Sequence, residues 1–286
     1  MTDVRHFLEL TDFEPEVLKA ILKRAHEMKR VKFHPPQVFA GLSLAMVFDK
    51  LSTRTRFSFD IAMKQLGGHT VTATMAEMQI GGKESAESTG KVLSRYVDGI
   101  MIRTSDGETL KELAAHASIP VINGMTDESH PCQIMADMMT IEEKLGSVEG
   151  KKIVWYGDTN NVSKTFEQAS SIWGFEFVMC GPEYDIAPLE AASGADVIVT
   201  DTWISMGQEG KDVAKFEPYQ VNADVMAAAK ESAIFMHCLP IAEWYEVSEE
   251  VAKSSASVIY DEAENRLHAQ KAILEWCFKN SGVVLR

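Results

Sequence analysis

Short apolar runs alternating with helical stretches govern what this chain can become. The runs at 44–48, 71–75, 99–103, 121–123, 152–158, 176–180, 196–201 and 233–236 each read as a strand, bounded by polar or glycine-containing turns. Helices are predicted between them. Thr11 with Glu14 three residues on reads as a capping box, opening a helix that runs to about Lys29. Others are predicted at 57–66, 86–97, 109–117, 132–145, 161–173 and 188–194, and 79–85 reads as a loop. A last strand is predicted at 258–260 and a last helix at about 262–278. Strands that alternate with helices pair in parallel through crossovers, so the expected class is α/β, with two doubly wound parallel-sheet domains. The chain has 286 residues, enough for two separate cores, and the helix at 132–145 is placed to bridge them.

In such sheets ligands bind where strands end and helices begin. Ser52-Thr53-Arg54-Thr55-Arg56 occupies one such junction, after the strand at 44–48. Unpaired N–H groups and the helix dipole favour negative charge there, and hydroxyls with guanidinium forks suit phosphate. Read alone, such a stretch is more often an ordinary helix start with exposed arginines. The formal net charge is −14, which excludes nucleic acid or an anionic membrane as the main partner and makes clustered arginines stand out. No apolar run is long enough to span a membrane, and 1–6 has no signal-peptide core. Cys132, Cys180, Cys238 and Cys277 are widely spaced, so a reduced, cytoplasmic protein is expected.

Further chemistry-bearing residues fall at strand or helix ends. Arg103 ends a strand; His130 and Gln133 share a helix entry and, with Arg103, offer donors to a carbonyl oxygen. A His-Pro turn with a purely structural role is the competing reading. Asp201 ends another strand, with Ser205 just beyond it; an acid there also serves as a helix cap. Cys238 lies between His237 and Leu239-Pro240, next to an X-Pro bond open to the cis form; a buried, inert cysteine is the alternative. No His or Cys pair has metal-ligand spacing, so no metal is expected, and no cofactor. Walker, G-x-G-x-x-G and G-x-S-x-G signatures are absent.

Taken in order, 52–56, His130-Pro131-Cys132-Gln133, Asp201 with Ser205-Met206-Gly207, 235–240 and 261–270 resemble the motifs of the carbamoyltransferase family, and of its ornithine branch most closely. The resemblance covers nearly the whole chain. It implies a carbamoyl-phosphate-binding domain at 1–130, an interdomain helix at 131–147, and an ornithine-binding (acceptor) domain at 148–262. The C-terminal helix, about 264–286, would pack back on the first domain. It implies transfer of the carbamoyl group of carbamoyl phosphate to the δ-amine of L-ornithine, giving L-citrulline and phosphate without a covalent intermediate. It further implies a homotrimer, or a multiple of trimers, and a place in arginine biosynthesis. The direction, biosynthetic or catabolic, is open at this level.

By the same resemblance, Ser52, Thr53, Arg54, Thr55, Arg56 and Arg103 hold the phosphate. Thr55, Arg103, His130 and Gln133 polarise the carbamoyl carbonyl, and Arg266 touches its oxygen. Gln79, or nearby Lys83, reaches a neighbouring subunit's phosphate. Asn161, Asp201, Ser205 and Met206 bind the amino-acid part of ornithine, with Cys238 and the Leu239 backbone beside the reacting amine and the carbamoyl group, so that Leu239 also counts among the carbamoyl-phosphate-binding residues. Three departures from the family pattern stand out. Leu51 replaces a proline, and Thr159 a glycine. Ile241-Ala242-Glu243-Trp244-Tyr245-Glu246 stands where the family has Ala-His-Arg-Gly-Glu-Glu. The stretch between Cys180 and Ala195 is short for the family and is expected to cost the second sheet an edge element. N-acetylornithine, succinylornithine, putrescine and lysine stay open as acceptors, as does a binding paralogue without catalysis.

Overall fold

The structure, a computed structural model, describes residues 4–32, 35–204, 212–241, 244–282 and 285. The chain divides into two compact units, Met1–Ala136 with Arg266–Arg286, and Asp137–Asn265. Each carries a four-stranded, wholly parallel sheet flanked by helices.

The first unit begins with helix α1, Pro15–Arg30. Its start corrects the expected capping box. Thr11 lies inside a single 3₁₀ turn, Leu10–Asp12, and Pro15 opens the α-helix, where a missing N–H costs nothing. Strand β1 (Ser43–Phe48) then leads to α2 (Arg54–Gln65), β2 (His69–Thr74), α3 (Met75–Met78), α4 (Ala86–Leu93), β3 (Gly99–Arg103), α5 (Gly107–His116) and β4 (Val121–Met125). The strand order is β2-β1-β3-β4. Because β2 lies on one side of β1 and β3 on the other, the chain reverses its winding between β1 and β3. The apolar faces of β1 and β3 pack against Leu110, Leu113 and Ala114 of α5 to form the core on one side.

Helix α6 (Pro131–Leu145) opens in the first unit and continues into the second, which adds β5 (Lys152–Tyr156), α7 (Asn161–Trp173), β6 (Glu176–Cys180), α8 (Pro188–Ala192) and β7 (Val197–Thr200). It closes with α9 (Ala223–Ala228), β8 (Ile234–His237) and α10 (Glu249–Ala252). The order β6-β5-β7-β8 repeats the first sheet's pattern, again reversing beside its first strand. The stretch after β6 is compact enough for one short helix. Gly181 makes this fit: a Cβ there would lie 2.0 Å from the Gly157 carbonyl oxygen, so only glycine lets the two turns touch.

Helix α11 (Ile259–Asn280) ends the fold. The strand expected at 258–260 is absent; what forms is one parallel bridge between Phe235 and Ser257, and Ile259 already belongs to the helix. From Arg266 onward α11 belongs to the first unit. There Glu275 pairs with Arg24 of α1 at 2.7 Å, and buried Lys271 donates to the Gln65 side chain at the end of α2. Among the described residues no helix is long and apolar enough to cross a membrane.

Candidate active site

In the first unit the winding reversal between β1 and β3 gathers the arginines. Thr53 stands at the N-cap of α2 in helical geometry, and its side chain makes no capping bond. The first turn holds no acid; Arg54, Thr55 and Arg56 fill it instead. Guanidinium groups at the positive pole of a helix repel it, an arrangement that an anion relieves. Ser52 is half-buried, while Thr53 and Arg56 are exposed.

Thr55 is the hub. It is fully buried, and its hydroxyl oxygen accepts from Arg103 Nη1 and from Arg266 Nη2, each at 3.2 Å. Arg103 arrives at the end of β3, where the register with β4 slips by one residue at Gly124, a bulge that re-aims the strand end. Arg266 arrives from α11, and its Nη1 donates to Gln133 Oε1 at 2.6 Å. His130 closes the group at the entry to α6, its carbonyl oxygen accepting the Gln133 N–H at 3.0 Å. Asn123 pins that entry by donating to Ser129 Oγ at 3.0 Å. Burial, then the charges of Arg266, Arg103 and Arg54, push the His130 imidazole well below its usual 6.5. It is therefore neutral and offers one N–H. The first unit thus joins Thr55, Arg103, His130, Gln133 and Arg266, with Arg54 near enough to act on His130. Gln79 is separate: exposed, in the left-handed region at φ 58°, at the end of α3. Lys83 is exposed as well.

In the second unit the turns after β5, β7 and β8 carry the expected residues. Asp201 follows β7. Its carboxylate accepts from Cys238 Sγ at 3.2 Å, from the Thr202 N–H at 2.8 Å and from Asn160 Nδ2 at 3.1 Å. Asn160 is also the N-cap of α7, in a capping box with Ser163, which places Asn161 in the first turn. Thr159 bonds Tyr184 at 2.6 Å, so the residue standing in for glycine ties this turn to the next. Burial, then the charges of Asp201, Glu262 and Asp137, hold the Cys238 thiol well above the usual cysteine range. It is a neutral S–H donor, unsuited to nucleophilic attack. Leu239 lies at φ 61° before a cis bond to Pro240. Ser205, Met206 and Glu243 lie outside the described residues. Trp244 takes φ 62° under the Lys253 ammonium, 5.7 Å from its ring centre.

Four residues here escaped the sequence reading. Asn160 was legible as the cap of an N-x-x-S start. Asp137, Glu262 and Glu246 were not, because a carboxylate inside a helix or loop reads as solvated surface until the fold buries it. Asp201, His237 and Cys238 also bring three ligand atoms within 4.8 Å of one another, a grouping that sequence spacing does not reveal. His237 has little to give a metal, since its Nδ1 accepts the Leu239 N–H at 2.8 Å and its Nε2 faces Glu246 at 3.0 Å.

Two family models match the chain: the carbamoyl-P binding domain of aspartate/ornithine carbamoyltransferase over 5–143, and the Asp/Orn binding domain over 183–277. An ornithine carbamoyltransferase of Brucella abortus (strain 2308) is 49% identical over 306 aligned positions, covering 98% of this chain and 97% of that protein. The solved ornithine carbamoyltransferase from Pyrococcus furiosus is 40% identical with a TM-score of 0.86, covering 94% of this chain and 96% of that one. The anabolic ornithine carbamoyltransferase from Campylobacter jejuni is 33% identical with a TM-score of 0.86, over 96% and 99% of the two chains. With both domain models matched in order and the fold shared end to end, this chain belongs to the aspartate/ornithine carbamoyltransferase family.

Proposed function

We propose that this protein transfers the carbamoyl group of carbamoyl phosphate to the δ-amine of L-ornithine, releasing L-citrulline and phosphate. The observation that carries the reading is the cluster around Thr55: arginines converge at an acid-free helix start beside a neutral histidine. In this reading the first unit holds carbamoyl phosphate, with Ser52 to Arg56 and Arg103 on its phosphate. Arg266, His130, Gln133 and Thr55 face the carbamoyl oxygen. The second unit holds the amino acid, with Asp201 on the α-ammonium and Asn161, Ser205 and Met206 on the rest. Cys238 and the Leu239 carbonyl meet the reacting amine.

The neutral amine's lone pair forms a C–N bond to the carbamoyl carbon. Negative charge grows on the carbonyl oxygen, where fixed N–H donors act without reorganisation. The C–O bond to phosphate then breaks, the electron pair stays on phosphate, and one amine proton ends there too. The neutral Cys238 thiol supports direct attack, since a covalent thioester route needs a thiolate. The carboxylates around Cys238 support a cationic acceptor. We infer further that the enzyme works in the cytoplasm as a homotrimer or a multiple of trimers, with Gln79 serving a neighbouring subunit. An anabolic role, in arginine biosynthesis, is supported by the likeness to the Campylobacter jejuni enzyme.

The test is incubation with carbamoyl phosphate and a panel of amines: ornithine, N-acetylornithine, succinylornithine, putrescine, lysine and aspartate. Phosphate and ureido product are measured together. Equimolar release with ornithine at the highest kcat/KM is expected. Preference for another amine overturns the acceptor assignment, and release with none overturns the enzyme.

A further inference from the structure

We propose that Glu9 is a positioning residue for His130: it holds the serine that precedes the histidine. The inference rests on the reading above, in which His130 donates to the carbamoyl oxygen. Glu9 is half-buried at the start of the 3₁₀ turn, where its N–H donates to Asp12 Oδ2 at 3.1 Å. Just before it, Phe7 is bound to β4: its N–H donates to the Val121 carbonyl at 2.9 Å, and its carbonyl accepts the Asn123 N–H at 2.8 Å. This brings the Glu9 carboxylate to the turn after β4, where Oε1 accepts the Ser129 hydroxyl at 2.6 Å.

Every direction in this chain of bonds is fixed. The Leu8 carbonyl only accepts, so Asn123 turns its amide nitrogen there, at 3.0 Å. The second hydrogen of that nitrogen goes to Ser129 Oγ, also at 3.0 Å. Serine has one hydroxyl hydrogen and an ionised carboxylate can only accept, so that hydrogen goes to Glu9. Asn123 and Ser129 are buried, and in a dry interior each bond of such a chain strengthens the next. The Ser129 backbone is held as well: Thr126 Oγ1 accepts its N–H at 3.1 Å, and the Thr126 N–H donates to its carbonyl at 2.9 Å. On the other side of His130, Pro131 confines the histidine backbone to extended geometry. The freedom left to His130 therefore comes through Ser129. Without the Glu9 carboxylate the buried serine hydrogen loses its acceptor, and the side chain must turn to find another. The peptide that carries His130 turns with it, while Thr55, Arg103 and Arg266 keep their own bonds.

The test compares Glu9→Gln, Glu9→Ala and Ser129→Ala in full-length protein shown to be folded by urea titration, using kinetics and ring ¹⁵N NMR of histidine-labelled protein. His130 is assigned by loss of its signals in His130→Gln. Glu9→Gln keeps a carbonyl acceptor and is expected to hold kcat within about threefold of wild type, with the His130 signals in place. Glu9→Ala and Ser129→Ala are each expected to move those signals and to lower kcat by ~10–100-fold, as for a displacement of about 1 Å, with KM for ornithine unchanged. Combining the two is expected to cost no more than Ser129→Ala alone, because Glu9 acts through that serine. Folded Glu9→Ala with wild-type kcat, or with unmoved His130 signals, overturns the proposal, as does Glu9→Gln as slow as Glu9→Ala. If Glu9→Ala does not fold, Glu9→Asp, whose carboxylate falls one methylene short, takes its place under the same outcomes. Wild type inactive with ornithine overturns the proposed acceptor instead, and the His130 signals still answer for Glu9.

Discussion

Replacing Lys271 by methionine should stabilise the protein at neutral pH. Lys271 is fully buried on α11, with the Gln65 side chain as its hydrogen-bond acceptor. Burial first, and the nearby charge of Lys32 second, bring its ammonium down from 10.5 to about 8. At about 1.4 kcal/mol per pH unit, keeping that ammonium charged inside the fold costs roughly 3 kcal/mol at pH 7. Methionine fills a similar unbranched volume without charge. The lost hydrogen bond returns about 1 kcal/mol of that gain, because half-exposed Gln65 is rehydrated. A net gain of about 2 kcal/mol is expected. The sign of the pH dependence follows from the depressed value. Below 10.5 the unfolded chain binds the proton more tightly than the folded one, so wild type loses stability as pH falls from 10.5 to about 8. The advantage of Lys271→Met should therefore shrink by ~2 kcal/mol between pH 7 and pH 9.5. Equilibrium urea unfolding of both proteins at the two pH values measures this. A variant less stable than wild type at pH 7, or a pH-independent difference, refutes the buried-charge argument.

Four other outcomes follow from the geometry. Arg103→Ala should lose about 10²–10³ in kcat, measured as citrulline formed at saturating substrates. His130, held below 6.5 in the fold, withdraws stability as pH drops below that value, because the unfolded chain takes up a proton the folded chain refuses. The urea stability of wild type relative to His130→Gln should accordingly decline from pH 7.5 to pH 5.5. Burial raises all four thiols, Cys132 and Cys180 to about 12, so Ellman's reagent at pH 8 should react slowly with native protein and with four thiols after unfolding. Gly181→Ala forces a Cβ to within 2.0 Å of the Gly157 carbonyl oxygen and should cost at least about 3 kcal/mol in urea unfolding.

Much of this architecture was legible because strands buried in a parallel sheet are apolar throughout. Residues 99–103 match β3 end for end, and 176–180 match β6, an edge strand that is only partly buried yet still reads from its apolar run 177–180. Tertiary context decided the rest. The expected strand at 258–260 had the right composition, but only one bridge beside β8 forms before α11 begins. Pro15 outweighed Thr11 because proline at the first helical position is stronger punctuation than a distant capping pair. The turn at 214–219 and helix α9 span six residues each, too short for a helical period to announce itself. Within the candidate site, Thr55, Arg103 and Arg266 were readable as donors and acceptors, yet their meeting is long-range. The Glu246–His237 pair was invisible for the same reason.

The two bonds on Thr55 also set a timetable for synthesis. Its hydroxyl waits for Arg103, 48 residues later, and for Arg266, 211 residues later. At roughly 5–20 residues per second, the ribosome needs about 10–40 seconds between making the helix start and making its last guanidinium. During that interval the nascent first unit lacks one of the two guanidinium groups that bond Thr55. A fragment ending at residue 143, where the first family model stops, stays in that condition permanently. The first unit's polar cluster is therefore assembled from both ends of the chain, and only a chain translated past Arg266 can hold it.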